Sequence, residues 1–130
     1  MRCKAIEPIS IDSQDVALMK FAREFNGLRP MNPSASEWGS LVKLVRCNLL
    51  DCWDQEMRAI VQLTLEDDGQ YTSTATRMRG PVNYRLTLHG SVFFSKFAGY
   101  LQDVKTRSPA ARTHTVAVEM EKKVYVVDIV

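Results

Sequence analysis

The last stretch of the chain restricts the fold most. Thr115–Met120 and Lys123–Ile129 both read as strands, with only Glu121 and Lys122 between them. Successive side chains of a strand point to opposite faces, and so short a connection closes two such runs into an antiparallel hairpin. The second arm carries Val124, Val126, Val127, Ile129 and Val130, so it is apolar on both sides. Such a strand is either central in its sheet or an edge covered by a partner, because a bare apolar edge invites aggregation.

Helical and strand periods divide the rest. A short strand-like stretch spans Arg2 to Ile11, interrupted by Pro8. Asp12 and Ser13 offer N-caps to a helix reaching Asn26, with Gly27 as its stop and Leu18, Phe21, Ala22 and Phe25 as its core stripe. Ser34 with Glu37 forms the capping box of a second helix. That helix carries Trp38, Leu41, Val42, Val45 and Leu49 on one face and is expected to end near Cys52 or Trp53. From Met57 the period becomes two, with Met57, Ala59, Val61, Leu63 and Leu65 on the apolar side. Glu66–Gln70 reads as a hairpin turn into a returning strand, Tyr71 to Met78. After Gly80-Pro81 a further strand carries Val82, Tyr84, Leu86 and Leu88. Ser91 then caps a third helix with Phe94, Phe97, Tyr100, Leu101 and Val104 inside, followed by a basic loop, Thr106 to Thr113.

The order is β-α-α-β-β-β-α-β-β. Strands joined by short turns, without regular βαβ units, imply an α+β fold with an antiparallel sheet and helices packed on one face. The 130 residues suit a single domain, 1–130. A content of 45% hydrophobic and 25% charged residues excludes the disordered class. No apolar run approaches the roughly 18 residues of a membrane span, the start does not read as a signal peptide, and no membrane partner is expected. Three cysteines, Cys3, Cys47 and Cys52, are an odd number and suit free thiols in a reducing, intracellular compartment.

The inventory for catalysis is thin. No nucleophile elbow, phosphate-binding loop or zinc-protease motif is present, and the Cys47–Cys52 spacing is wrong for a CxxC pair. Asp51, Asp54 and Glu56 read as a solvated face, Glu66, Asp67 and Asp68 as turn residues, and Cys47 as a packed thiol. A small enzyme would require the fold to gather Cys47, a histidine and a carboxylate into one pocket. No catalytic residue, cofactor or metal site is expected. The net charge of +2 is too small to argue for nucleic acid by itself. Arg77, Arg79 and Arg85 from neighbouring strands, with Lys105, Arg107 and Arg112 from the basic loop, would form an anion-binding face if they met. A small nucleic-acid-binding domain is the alternative function on that ground.

Met1-Arg2-Cys3, the run Leu49-Leu50-Asp51-Cys52-Trp53-Asp54, the apolar helix Val92–Val104 and the closing arms Val116–Met120 and Val124–Ile129 follow one another in a familiar order. In that order the chain resembles the small early-region-four proteins of adenoviruses, a likeness of pattern from Ser36 onward. The resemblance implies a non-enzymatic viral early accessory protein that forms homodimers and sequesters host proteins, in the host cell nucleus or cytoplasm. It also implies that the last strand and third helix form contact surfaces, with Val124, Val126, Ile129, Val130, Phe93 and Phe97 as interface candidates. The family continues past its final hairpin into an apolar tail that drives polymerisation. This sequence stops at Val130, so the resemblance carries the dimer and leaves larger assemblies open. The loops Arg29–Ala35 and Thr106–Thr113 also look longer than the family's.

Overall fold

The computed structural model describes residues 8–25, 29–75, 80–121 and 123–129. The expected strand over residues 2–7, the Gly27 stop and residues 76–78 of the returning strand lie outside them.

The described residues form an α+β fold in the order β1 (Ile9–Ile11), α1 (Ser13–Glu24), β2 (Arg29–Met31), α2 (Ala35–Arg46), β3 (Leu50–Trp53), β4 (Val61–Leu65), β5 (Tyr71–Ala75), β6 (Val82–Leu86), α3 (Leu88–Arg107), β7 (His114–Met120) and β8 (Lys123–Ile129). Two short strands, β2 and β3, add to the order read from the sequence. The strands form three antiparallel-rich groups: β1-β8-β7, β2-β6-β3 and the hairpin β4-β5. Only the β1–β8 pairing is parallel among the described strands. α3 packs on β7 and also reaches β6, while α1 lies against β6 and touches α2, α3 and β8. The helices therefore join the two three-stranded sheets.

The helix starts follow their capping residues. The Asp12 carboxylate accepts from the Asp15 backbone N–H at 2.9 Å, and the Asp15 carboxylate in turn accepts from the Asp12 backbone N–H at 3.0 Å. Asp15 is fully buried and is stabilised there by an ion pair with Lys43, which ties α1 to α2. Ser34 and Glu37 close the same reciprocal box on α2.

The end of α2 differs from expectation. The helix stops at Arg46, and Asn48 takes φ 60°. Leu49 N–H bonds to the Leu44 carbonyl at 2.9 Å and Asn48 N–H to the Val45 carbonyl at 3.0 Å, a Schellman ending with an asparagine in the left-handed position. The chain leaves as β3, so Leu49 and Cys52 are buried from outside the helix.

α3 starts earlier than expected. Thr87, rather than Ser91, caps it by accepting from Gly90 N–H at 2.8 Å. Leu88 is accordingly the first helical residue and is 84% exposed instead of continuing β6 inward.

Among the described side chains, one contiguous cluster of buried residues draws on β1, β3, β6, β7, β8 and all three helices, with Met31 of β2 and Val61 of β4 packed against it. Phe93, Phe97 and Tyr125 lie near its centre, with the Phe93 and Tyr125 rings edge to face at 5.0 Å and the Phe93 and Phe97 rings stacked at 6.2 Å. The inward phase of α1 is turned from the expected one: Asp15, Leu18, Met19 and Ala22 face the core, and Phe21 and Phe25 are exposed. On α3, Phe93 joins Phe94 and Phe97 inside while Tyr100 is exposed. Around β4 the expected alternation holds only at Val61, which is half-buried against the core; Ile60, just before the strand, is fully buried, whereas Met57, Ala59 and Leu65 are exposed.

Candidate protein interface

The closing hairpin pairs without a bulge from His114 opposite Ile129 to Met120 opposite Lys123. Its two-residue turn places Glu121 at φ 53°. β8 is central, with β7 antiparallel on one side and β1 parallel on the other. Of the two positions open to an apolar strand, the structure therefore uses the central one. On the inner face Val116, Val118, Met120, Tyr125 and Val127 are buried beneath the helices.

The outer face consists of Ser10 on β1, Val124, Val126 and Asp128 on β8, and Thr115, Ala117 and Glu119 on β7. None of these residues is buried. Val126 lies between Ser10 and Ala117, and Val124 opposite Glu119. Val124 and Val126 thus form a small apolar strip with polar neighbours, half-buried by the sheet itself. Ile129 is on the other side, half-buried opposite His114, and Val130 lies outside the described residues.

Phe93 and Phe97 do not reach this surface. They are 0% and 3% exposed and fill the chain's own core, which corrects their assignment as contact residues. An aromatic stripe on a helix looks the same in sequence whether its cover comes from the same chain or from a partner.

The free long side of β7 was not singled out in the sequence. Among the described residues no strand pairs beyond it. β7 has seven residues, no proline, no lysine or arginine, and one charge, Glu119. Native edges are usually protected by short length, lysine, proline or a bulge. β1, at the opposite edge, is only three residues long. The absence of such protective residues from Thr115–Met120 was a signal available in the sequence.

The arginines separate. Arg85 makes an ion pair with Asp51 at 3.5 Å, directly across the β3–β6 pair, and stacks over the Trp53 ring at 5.5 Å. Arg107 is paired with Asp103 at 2.8 Å, one turn back on α3. Arg112 lines a cavity with Lys105 and His114. Arg77 and Arg79 lie outside the described residues.

The two described thiols, Cys47 and Cys52, are not activated. Burial pushes Cys52 up to about 12, and burial also raises Cys47 against the pull of Lys123 and Lys43. A thiol held protonated at neutral pH is a poor nucleophile. His89 Nε2 lies 3.1 Å from the Tyr125 hydroxyl, which donates to the Cys47 carbonyl at 3.5 Å. These groups join the start of α3 to the end of α2. Among the described residues no three His, Cys, Asp or Glu side chains group as metal ligands, and no helix is long and apolar enough to cross a membrane.

No protein-family model, curated protein or solved structure matches this chain.

Proposed function

We propose that this chain is a non-catalytic binding protein that self-associates and holds other proteins, through the free edge of β7 and the adjoining outer face. The observation that carries the reading is the unprotected seven-residue edge. Its backbone donors and acceptors can be satisfied by another strand, and pairing along an edge is an established mode of protein recognition.

β7 is self-complementary for a two-fold antiparallel pairing centred on Ala117. Val116 would then face Val118 of the other copy on the inner side, and Thr115 would face Glu119 on the outer side. The single charge of each strand meets a hydroxyl rather than its like, so the pairing carries no direct repulsion. The result would be a continuous six-stranded sheet whose outer valines, Val124 and Val126, extend the contact surface. The pattern resemblance to the adenoviral early-region-four proteins points the same way, toward a viral accessory protein acting on host proteins in the nucleus or cytoplasm.

Light scattering on a size-exclusion column, over a hundredfold range of concentration, tests the reading. The expected mass is twice 14.8 kDa. Ala117→Lys would place two lysines across the dyad and shift the mass to the monomer. Val126→Lys, on the face and off the edge, would leave the dimer in place. A monomer at all concentrations would remove the proposal.

A further inference from the structure

α3 ends at Arg107, and Ser108 followed by Pro109 turns the chain sharply away, with Ala111 N–H bonded to the Ser108 carbonyl at 3.2 Å. The loop returns to β7 at His114, which pairs with Ile129 at the end of β8. Between helix end, loop and hairpin lies a cavity of about 430 Å³, lined by Lys105, Pro109, Ala111, Arg112, His114 and Ile129. Small-molecule sites occupy about 300–1,000 Å³, so the space suits a compact ligand.

The lining has one sign of charge. Lys105 and Arg112 both border the cavity, and among the described residues no carboxylate side chain does. Among the described residues neither makes an ion pair, whereas Lys43, Arg58, Arg85 and Arg107 are each paired with a carboxylate. Lys105 complements the C-terminal end of the α3 dipole, but Arg112 and His114 lie beyond the helix, where that explanation does not apply. A planar guanidinium, an ammonium and an imidazole N–H are donors suited to phosphate oxygens. Pro109, Ala111 and Ile129 give the same cavity an apolar wall.

We propose that this cavity binds a phosphate monoester carried on a small, partly apolar body. Two cations match a dianion, and the apolar wall accommodates the group that the phosphate is attached to. The cavity shares His114 with the end of β7, but its two cations lie on α3 and the following loop, so the ligand titration and the mass measurement report on the two readings separately.

Calorimetric titration of the full chain with adenosine monophosphate, inorganic phosphate and adenosine tests it at fixed salt. The expected result is saturable binding of one adenosine monophosphate per chain, weaker binding of phosphate, and none of adenosine. Lys105→Ala with Arg112→Ala should weaken adenosine monophosphate binding about tenfold or more, the loss of two charge-assisted contacts. Both side chains are on exposed residues, and an unchanged thermal melt confirms that the variant is folded. Absence of saturation with both anions, equal affinity for adenosine, or unchanged affinity in the double variant would each overturn the proposal. So would a single-stranded oligonucleotide that competes better per phosphate than the monoester, since that marks a phosphodiester surface.

Discussion

Gly90 lies directly on the carbonyl group of Leu49: a Cβ at position 90 would overlap the Leu49 oxygen and stand 2.9 Å from its carbonyl carbon. The same oxygen accepts a hydrogen bond from Thr87 N–H at 3.2 Å, and the Thr87 hydroxyl donates to the Asn48 carbonyl. The end of α2 is thereby fixed to the start of α3. Gly90→Ala must push backbone against backbone, so it should lower stability by about 3 kcal/mol, the upper end for overpacking. Gly99, on the same helix with nothing within 4 Å of its Cβ position, is the control. Gly99→Ala should raise stability by roughly 0.5–1 kcal/mol through helix propensity. Urea midpoints of the two variants check the contrast, and equal effects would contradict it.

Asn48 supplies the left-handed residue that closes α2. Asn48→Ala keeps the φ requirement and loses the residue type that tolerates it, so a loss of about 1 kcal/mol is expected. Asn48→Gly should be neutral or better. Thermal melts of both variants beside the parent chain decide the point.

Two aspartates make the fold acid-sensitive. For Asp12, burial opposes ionisation, but the Asp15 backbone N–H and the Lys43 charge hold its pKa below the usual value. For Asp54, burial again opposes, and hydrogen bonds from the Arg58 backbone at 2.8 Å, the Arg58 guanidinium at 2.7 Å and the Glu56 backbone at 2.9 Å prevail. Groups depressed in the folded state contribute fully above the unfolded value of about 3.9, and the contribution is lost as pH falls through the folded pKa. Stability should therefore decline below about pH 4. Asp54→Asn should lower the melting temperature at pH 7 and leave it nearly unchanged at pH 2, flattening that decline.

Cys47 and Cys52 should differ in reactivity from free cysteine. Cys52 is 3% exposed with its pKa pushed up to about 12 by burial, and Cys47, half-buried, is raised as well. Peptide-resolved alkylation at pH 7.5 should label Cys47 slowly and Cys52 slower still. Both should react freely in urea. Rapid labelling of Cys52 in the native chain would contradict its packing.

Much of the local structure was legible before the fold was known, because it depends on short-range chemistry. The N-cap at Asp12, the box at Ser34, the turn at Glu66–Gln70 and the closing hairpin each rest on residues within a few positions of one another. Long-range packing was not legible in the same way. The period of α1 admits Phe21 or Met19 inward, and only β6, β8 and the neighbouring helices select Met19. The same holds for Phe93 and Phe97, whose partner is Tyr125 of this chain. The end of α2 could have been read from Asn48 followed by apolar Leu49, but Leu49, Leu50, Cys52 and Trp53, apolar on either side of Asp51, concealed it. Of the candidate interface, the two-sided character of β8 was visible and the bare edge was not, since it is the strand order that places β7 outermost among the described strands.

The central claim is that β7 pairs with β7 of a second copy about Ala117. Nuclear Overhauser effects filtered for contacts between a labelled and an unlabelled chain test it most directly. The account predicts intermolecular contacts between Val116 and Val118 and between Thr115 and Glu119, present in the parent chain and lost in Ala117→Lys. A concentrated sample with no contact across β7, or with contacts confined to Val124 and Val126 on the outer face, would contradict it.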